Sequence, residues 1–578
     1  MHKVFCLIIV LVTMAYISVF AQDEVSEQKV NTDYFQKILS NAPSLRRPEN
    51  RAYVYARVGH ALWKEDEKFA RTLFQDSINE LISAQVEIER IEYDRNKFEP
   101  LIYGQSPRWG ILWTIADRDA ETAFDLMLKS RPGRVSQLMG VKSNQSRLYQ
   151  FANTELQNEQ RLLALMIDQN PERAVKYLRE NLKKHYSYQT LETLRKVFQK
   201  DAVLANSLAE EIGRSFLTSD INSENEKIGN LATFLTGFIE SQRQTDESNL
   251  KISDGLLRDL ASKLIDVYLD PYTNYIQVNP NLNIFFEKNF AARYEALKKK
   301  IEKSNKTNQT PQLQKLYKLL EQNSSPEELF SEGEKLPKEM RSQINRRAVS
   351  LIAESGDLSR ARELFKENFP NEDVEAFISS YIFSQASTAI GQLKFDEGFR
   401  LLELVGEKRQ KFMLLTYMAM TAFNADKEKN KNFAISVLEQ ARSVLAEMPE
   451  NETDINALGT LAEKYSLIEP ERAFPILEQL VTPINEISQA NAVLAKYRGS
   501  GNFRLGEFQI DSDQYMNGTG SFGNVLNNLK TTDFERVWQI TNGFSRTEIR
   551  LLMQLNLIDN SGITNLTYNY NTILRRRF

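Results

Sequence analysis

Cysteine is almost missing from this chain. Of 578 residues only Cys6 is one, and it lies within an apolar N-terminal stretch. With that stretch removed on export, no thiol would remain, which excludes disulfides, thiolate nucleophiles and cysteine-based zinc sites. Histidine is nearly as scarce, with only His60 and His185 beyond the N-terminus. The 23 glycines and 16 prolines fall below the usual roughly 7% and 5%. Tight turns consume both residues, so collagen-like, linker-rich and turn-dense all-β chains are excluded. No excess of positive charge exists: 73 Lys and Arg stand against 77 Asp and Glu, for a net charge of −4. A non-specific nucleic-acid binder needs a basic footprint to release counterions, so no nucleic-acid partner is expected. Beyond the N-terminus no apolar run approaches the length that crosses a bilayer, so no membrane span is expected after it.

The N-terminus carries the clearest signal. Met-His-Lys is followed by an apolar run from Val4 to Phe20 and then Ala21-Gln22. A positive start, an apolar middle and small residues at −3 and −1 of a cut mark a secretory signal. Val19 and Ala21 supply those positions, so residues 1–21 are read as a signal peptide cleaved after Ala21. The competing reading is an uncleaved anchor, since about 17 apolar residues reach the lower edge of a span. A secreted or periplasmic location is therefore expected. Asn-x-Ser/Thr triplets at Asn144, Asn305, Asn308, Asn323, Asn451, Asn517 and Asn565 could carry glycans in a eukaryotic secretory pathway.

Helical periodicity dominates the remainder. Val54, Val58, Ala61 and Leu62 share one face, the pattern breaks at Lys64-Glu65-Asp66, and it resumes at Phe69, Ala70, Leu73 and Phe74. Spacings of three and four predict two amphipathic helices, and the short polar break predicts an antiparallel pair. The start of the second helix recurs. Asp66, Asp119, Asn170, Asp201, Asp357, Asn430 and Glu469 each precede an alanine by four residues, at Ala70, Ala123, Ala174, Ala205, Ala361, Ala434 and Ala473. The polar residue would cap the helix and the alanine would admit a neighbouring helix. Later anchors at Ala361, Gly398, Ala434 and Ala473 are separated by 37, 36 and 39 residues, a period that signals a solenoid of helix pairs.

Ser355-Gly356-Asp357-Leu358-Ser359-Arg360-Ala361-Arg362-Glu363-Leu364-Phe365 resembles the turn and second helix of a tetratricopeptide (TPR-like) unit, with Ala361 and Phe365 at its small and large positions. The resemblance runs over roughly 340–495 and more loosely over 50–215. It implies a superhelical surface that binds a partner. The first-helix pattern of Trp, Leu-Gly and Tyr is not present in order.

Composition divides the chain into residues 1–21 (signal), 22–300 (a helical array), 301–340 (a linker or hinge with a short helix from Gln312 to Glu321), 341–496 (TPR-like repeats) and 497–578 (a Gly-rich loop and helical cap). Six glycines, Gly499, Gly501, Gly506, Gly518, Gly520 and Gly523, crowd the start of the last part. Helix is expected to return around Phe534–Ile540 and Thr547–Leu557.

Gly518-Thr519-Gly520-Ser521-Phe522-Gly523-Asn524-Val525 resembles the phosphate-covering loop of protein kinases. No His-Arg-Asp or Asp-Phe-Gly follows it, and a loop between helices is expected instead. Leu552-Met553-Gln554-Leu555 resembles part of a lytic transglycosylase segment, but Leu551 replaces its glycine, and Glu535 and Glu548 fall in helical patterns. His60, between Val58 and Leu62, reads as a core or boundary imidazole, and Trp109 and Trp113, one turn apart, read as core packing. Glu65-Asp66-Glu67 and Asp117 with Asp119 read as helix-start acids. A glycosidase needs two carboxylates facing each other across a pocket, and none can be singled out from sequence. Arg575-Arg576-Arg577-Phe578 reads as a solvated tail.

The sequence thus describes an all-α, irregular α-solenoid of antiparallel helical hairpins with a hinge near 300–340. No catalytic, cofactor-binding or metal-binding residue is assigned, and no cofactor is expected. The expected function is non-catalytic binding of a protein, peptide or envelope component. The alternative is a superhelical or helical-toroid hydrolase or lyase of cell-wall or polysaccharide substrate.

Overall fold

A computed structural model describes residues 32–92, 107–139, 147–182, 186–187, 189–219, 221, 225–243, 250–271, 273, 276, 278–308, 320, 324–446, 449–498, 503–510 and 520–558. Outside them lie the expected signal peptide with Cys6, His185, nearly all of the short helix expected over 312–321, Gly518-Thr519 and the Arg575–Phe578 tail.

The protein is an all-α solenoid. Its first part comprises α1 (Thr32–Asn41), α2 (Pro48–Leu62), α3 (Glu67–Glu92), α4 (Arg108–Ala116), α5 (Ala120–Lys129), α6 (Gly133–Leu138), α7 (Arg147–Met166) and α8 (Pro171–Leu182). Three hairpins follow: α9 (Gln189–Lys200) with α10 (Ala202–Thr218), α11 (Asn225–Arg243) with α12 (Asp254–Leu269), and α13 (Pro280–Asn289) with α14 (Ala291–Asn308). The next hairpins are α15 (Pro326–Gly333) with α16 (Lys338–Glu354), then α17 (Leu358–Asn368), α18 (Val374–Gly391), α19 (Phe395–Glu403), α20 (Lys408–Ala425), α21 (Lys431–Val444), α22 (Glu452–Ile468) and α23 (Ala473–Arg498). A two-stranded hairpin, β1 (Phe503–Arg504) and β2 (Glu507–Phe508), precedes α24 (Gly520–Leu529), α25 (Phe534–Asn542) and α26 (Thr547–Ile558). Helix α24 corrects one expectation. Gly520 and Gly523 lie in a helix rather than a loop, because Phe522, Val525, Leu526 and Leu529 form an apolar face that is fully buried.

The recurring helix start works as its chemistry dictates. All seven alanines, from Ala70 to Ala473, are buried to 1% exposure or less. Asp66, Asp119, Asn170, Asp201 and Asp357 each accept a hydrogen bond from the backbone N–H three residues on, at 2.9 to 3.2 Å. Two positions differ. The Asn430 amide donates back to the Ala422 carbonyl at 2.8 Å instead of capping α21, and Glu469 precedes a short 3₁₀ turn, Pro470–Arg472, with no side-chain cap.

A repeat that the sequence pattern did not reveal ties the first half together. Lys263 of α12 donates to the carbonyls of Phe216, Leu217 and Ser219 at 2.6 to 2.9 Å. Lys300, 37 residues later on α14, donates to those of Tyr268, Asp270 and Thr273 at 2.7 to 2.8 Å. Each ammonium thus satisfies the orphan carbonyls and negative end of the preceding second-layer helix. Burial lowers the pKa of Lys300, which its carbonyl cage tolerates because ammonium has three donors to spend.

The two ends of the solenoid meet. Helix α26 packs on α2 and α1, and a single hydrophobic core runs from Phe35 to Ile558, with a small satellite of Leu329, Leu336, Ile344 and Ala348 at α15 and α16. The last described helix therefore lies against the first two instead of ending in a free cap.

Candidate functional site

Two polar constellations and one groove are built on this frame. The first constellation is the clasp where the ends meet. Arg47, the N-cap residue of α2, makes no side-chain cap there. Its role is taken by Glu507 of β2, whose carboxylate accepts the backbone N–H groups of Arg46 at 2.7 Å and Arg47 at 3.0 Å and the Asn50 amide at 3.3 Å. Asn50 also donates to the Phe508 carbonyl at 2.8 Å and accepts from the Ile510 N–H at 2.9 Å. Glu49 lies between Arg47 and Arg504, at 2.7 and 2.6 Å. Burial pushes the Glu49 carboxyl upward, but the two guanidiniums outweigh it and hold the group below its ordinary value. At the rim Tyr34 donates to Glu535 at 2.5 Å, and that hydrogen bond, with burial and the carboxylate charge, pushes the phenol up to about 12.

The second constellation is a buried knot between α4 and α7. Glu155 accepts both arms of Arg108, at 2.9 and 3.1 Å, the Trp109 indole N–H at 3.1 Å and Arg131 at 3.1 Å, while Arg131 reaches Glu159 at 2.5 Å. Every charge is matched, so the knot reads as a structural tie.

The residues singled out from sequence are dispersed. His60 is fully buried and its Nε2 lies 2.8 Å from Asp117, which pins α2 to the α4–α5 turn. Asp117 is therefore corrected: it sits at the C-cap of α4 and serves His60, while Asp119 alone caps α5. Trp109 and Trp113 stack at 5.4 Å, Trp113 inside the core. Glu548 is buried in the clasp, accepting from Arg546 at 2.7 Å and the Phe508 N–H at 3.3 Å. Leu552, Met553, Gln554 and Leu555 are buried along α26. None of these positions lines the groove. Among the described residues no cluster of three or more His, Cys, Asp or Glu could hold a metal ion, and no helix is long and apolar enough to cross a membrane.

The groove lies where α9, α11 and α13, the first helices of three successive hairpins, run side by side. Its volume is about 550 Å³, within the range of ligand-holding clefts. Leu191, Ala232 and Leu282 form its apolar floor. Gly237, in the middle of α11, lets Leu191 of α9 approach: a Cβ there would stand 2.8 Å from the Leu191 methyl. Asn279 caps α13 through the Leu282 N–H at 2.9 Å while donating to Thr236 of α11 at 2.9 Å, which fixes the spacing of the two helices. Glu240 is steadied by Asn281 at 2.7 Å. Glu192 and Arg195 lie on the rim, with neither side chain in a hydrogen bond or ion pair to any described residue. None of these residues was singled out from sequence. Glu192 and Arg195, three apart on a polar helix face, look like any solvated pair until the neighbouring helix is in place.

Fold and groove together define a helical-repeat protein with a cleft between first-layer helices. No protein-family model matches the sequence, and no curated protein matches it. Among solved structures it is similar to a circular tandem repeat protein "with novel repeat topology and enhanced subunit contact surfaces". The two share 13% identity over 91% of this chain and 98% of that one, with a TM-score of 0.15.

Proposed function

We propose that this chain is an exported, non-catalytic, TPR-like helical-repeat protein whose α9–α11–α13 groove holds a peptide or protein segment of an envelope or secreted partner. The observation that carries the reading is the groove itself, with an apolar floor and two rim charges of opposite sign, Glu192 and Arg195, that make no hydrogen bond or ion pair to any described residue. A charged pair left unspent beside buried leucines suits an extended segment with one apolar side chain and polar neighbours. The TPR-like assignment is supported by the turns around Gly356 and Leu393. They lie 37 residues apart and repeat the same N–H to carbonyl bond, Gly356 to Ala353 and Leu393 to Ile390, both at 2.9 Å. Export rests on the signal-like residues 1–21.

Affinity capture with residues 22–578 from the native envelope or secretome tests the function. A specific partner is expected, and Arg195→Glu or Gly237→Leu should abolish its recovery. Glu192 and Glu240 are the two carboxylates lining the groove, so hydrolysis of a glycan panel that Glu192→Gln abolishes would overturn the binding reading in favour of an enzyme.

A further inference from the structure

A second surface lies on α20, in the other half of the solenoid. Its first turn carries Lys408, Arg409 and Lys411 and no acid. The positive end of a helix dipole disfavours cations there, and Glu407, just before them, caps nothing with its side chain. None of the three cations has a hydrogen bond or ion pair from its side chain to any described residue. One and two turns on from Arg409, along the same stripe, stand Met413 at 47% exposure and Tyr417 at 44%. These are large apolar side chains left in water by a helix whose opposite face is packed.

The stripe continues onto α18. The Tyr417 hydroxyl lies 3.2 Å from where a Gly391 Cβ would stand. Two residues further, Leu393 is half exposed and holds a left-handed backbone at φ 61°. The matching turn 37 residues earlier uses Gly356 at φ 92°, where the conformation carries no penalty. Local stability is thus forgone twice in one patch, by cations at a helix start and by a strained, exposed leucine. Such departures gather where a surface serves a partner.

We infer that the Arg409–Met413–Tyr417 stripe docks an extended, acidic segment of a partner protein. Its carboxylates would face Lys408, Arg409 and Lys411, and its bulky apolar side chains would lie on Met413 and Tyr417. From Arg409 to Tyr417 the helix rises about 12 Å, the reach of roughly four extended residues. The stripe lies between α18 and α22, which flank α20 on either side. It therefore suits a chain laid along a helix better than a planar membrane. This docking surface is separate from the α9–α11–α13 groove and rests on the same peptide-binding reading of the solenoid.

Fluorescence anisotropy with residues 22–578 tests it, using two labelled peptides. One alternates Asp or Glu with Leu or Phe; the other replaces every acid with Lys. The acidic peptide should bind and weaken steeply with salt. The triple variant K408E/R409E/K411E should lose about tenfold or more in affinity, as should Met413→Ser with Tyr417→Ser, while Arg258→Glu, an exposed charge reversal outside both surfaces, leaves binding unchanged. The triple variant should melt at the wild-type temperature or above, since acids favour a helix start, so lost binding cannot be lost folding. Equal binding of both peptides, no binding by either, an unaffected triple variant, or binding of anionic phosphatidylglycerol vesicles in place of the peptide would each overturn the proposal. Acidic-peptide binding that Arg195→Glu abolishes and the triple variant spares would overturn it while leaving the groove reading standing.

Discussion

Removing the Glu507 carboxylate should open the clasp between the two ends of the solenoid. Glu507 caps α2 from 460 residues away, accepting the Arg46 and Arg47 N–H groups at 2.7 and 3.0 Å. Arg47 is 2% exposed, so water cannot replace its lost acceptor. Orphaning the buried Arg47 donor costs about 1 to 3 kcal/mol and orphaning the part-buried Arg46 donor about 1 to 2 kcal/mol, so Glu507→Ala should weaken the clasp by about 2 to 5 kcal/mol. With tenfold for each roughly 1.4 kcal/mol, amide exchange in α1 and α26 should quicken by about 30-fold to several thousand-fold. Hydrogen exchange resolved by peptide reads this directly, with α9 to α14 as the internal control that should not change. Glu507→Gln, which keeps one acceptor oxygen, should fall between wild type and the alanine variant. Exchange that quickens only at residues 46 and 47, with α26 within about threefold of wild type, would refute the reasoning. The carboxylate would then be a local cap with no hold on the ends.

Other outcomes follow from single contacts. Ala361→Leu, at a fully buried position on α17, should cost about 1 to 3 kcal/mol by overpacking; an unchanged thermal melt would count against its place in the helix contact. Asp357→Ala should cost about 1 kcal/mol through the lost bond to the Arg360 N–H, read as a lower urea midpoint. Leu393→Gly should raise stability by about 1 kcal/mol by relieving the left-handed backbone; a lower melting temperature would mean the leucine packs in the native state. Acid should loosen the clasp. The Glu49 carboxyl sits below its ordinary 4.5, so its contribution is complete above that pH and is lost as pH falls beneath it. Exchange in α26 that stays constant from pH 6 to below 4, after correction for the intrinsic rate, would contradict this.

Much of the architecture was legible because helix starts and helix faces are local. An Asp or Asn with Ala four residues on, followed by Leu or Phe, states its cap and its contact within one turn, and five of those caps and all seven alanines hold. His60 and Trp113 read as core from their apolar neighbours and are core. What failed was local chemistry with a distant competitor. Asn430 finds the Ala422 carbonyl before its own helix amides, and Asp117 is claimed by His60, 57 residues back in the chain. Gly520 and Gly523 promised a loop until the apolar face between them found a core. The groove could not be read at all, since Leu191, Thr236 and Asn279 come from three helices whose adjacency no single window contains.

The sequence by itself determined that the chain is helical, and where the helices after Asp66, Asp119, Asn170, Asp201 and Asp357 begin and which alanine each buries, because propensity, capping and amphipathic spacing act within a few residues. Tertiary structure alone decided that the ends meet. A glutamate near position 507 has no local signature that says it caps a helix starting at Pro48. That bond exists only because the tertiary fold brings β2 and α26 back against α1 and α2. It decided equally which charges line a groove, since Glu192 and Arg195 differ from any other polar pair on a helix only once α11 and α13 stand beside them.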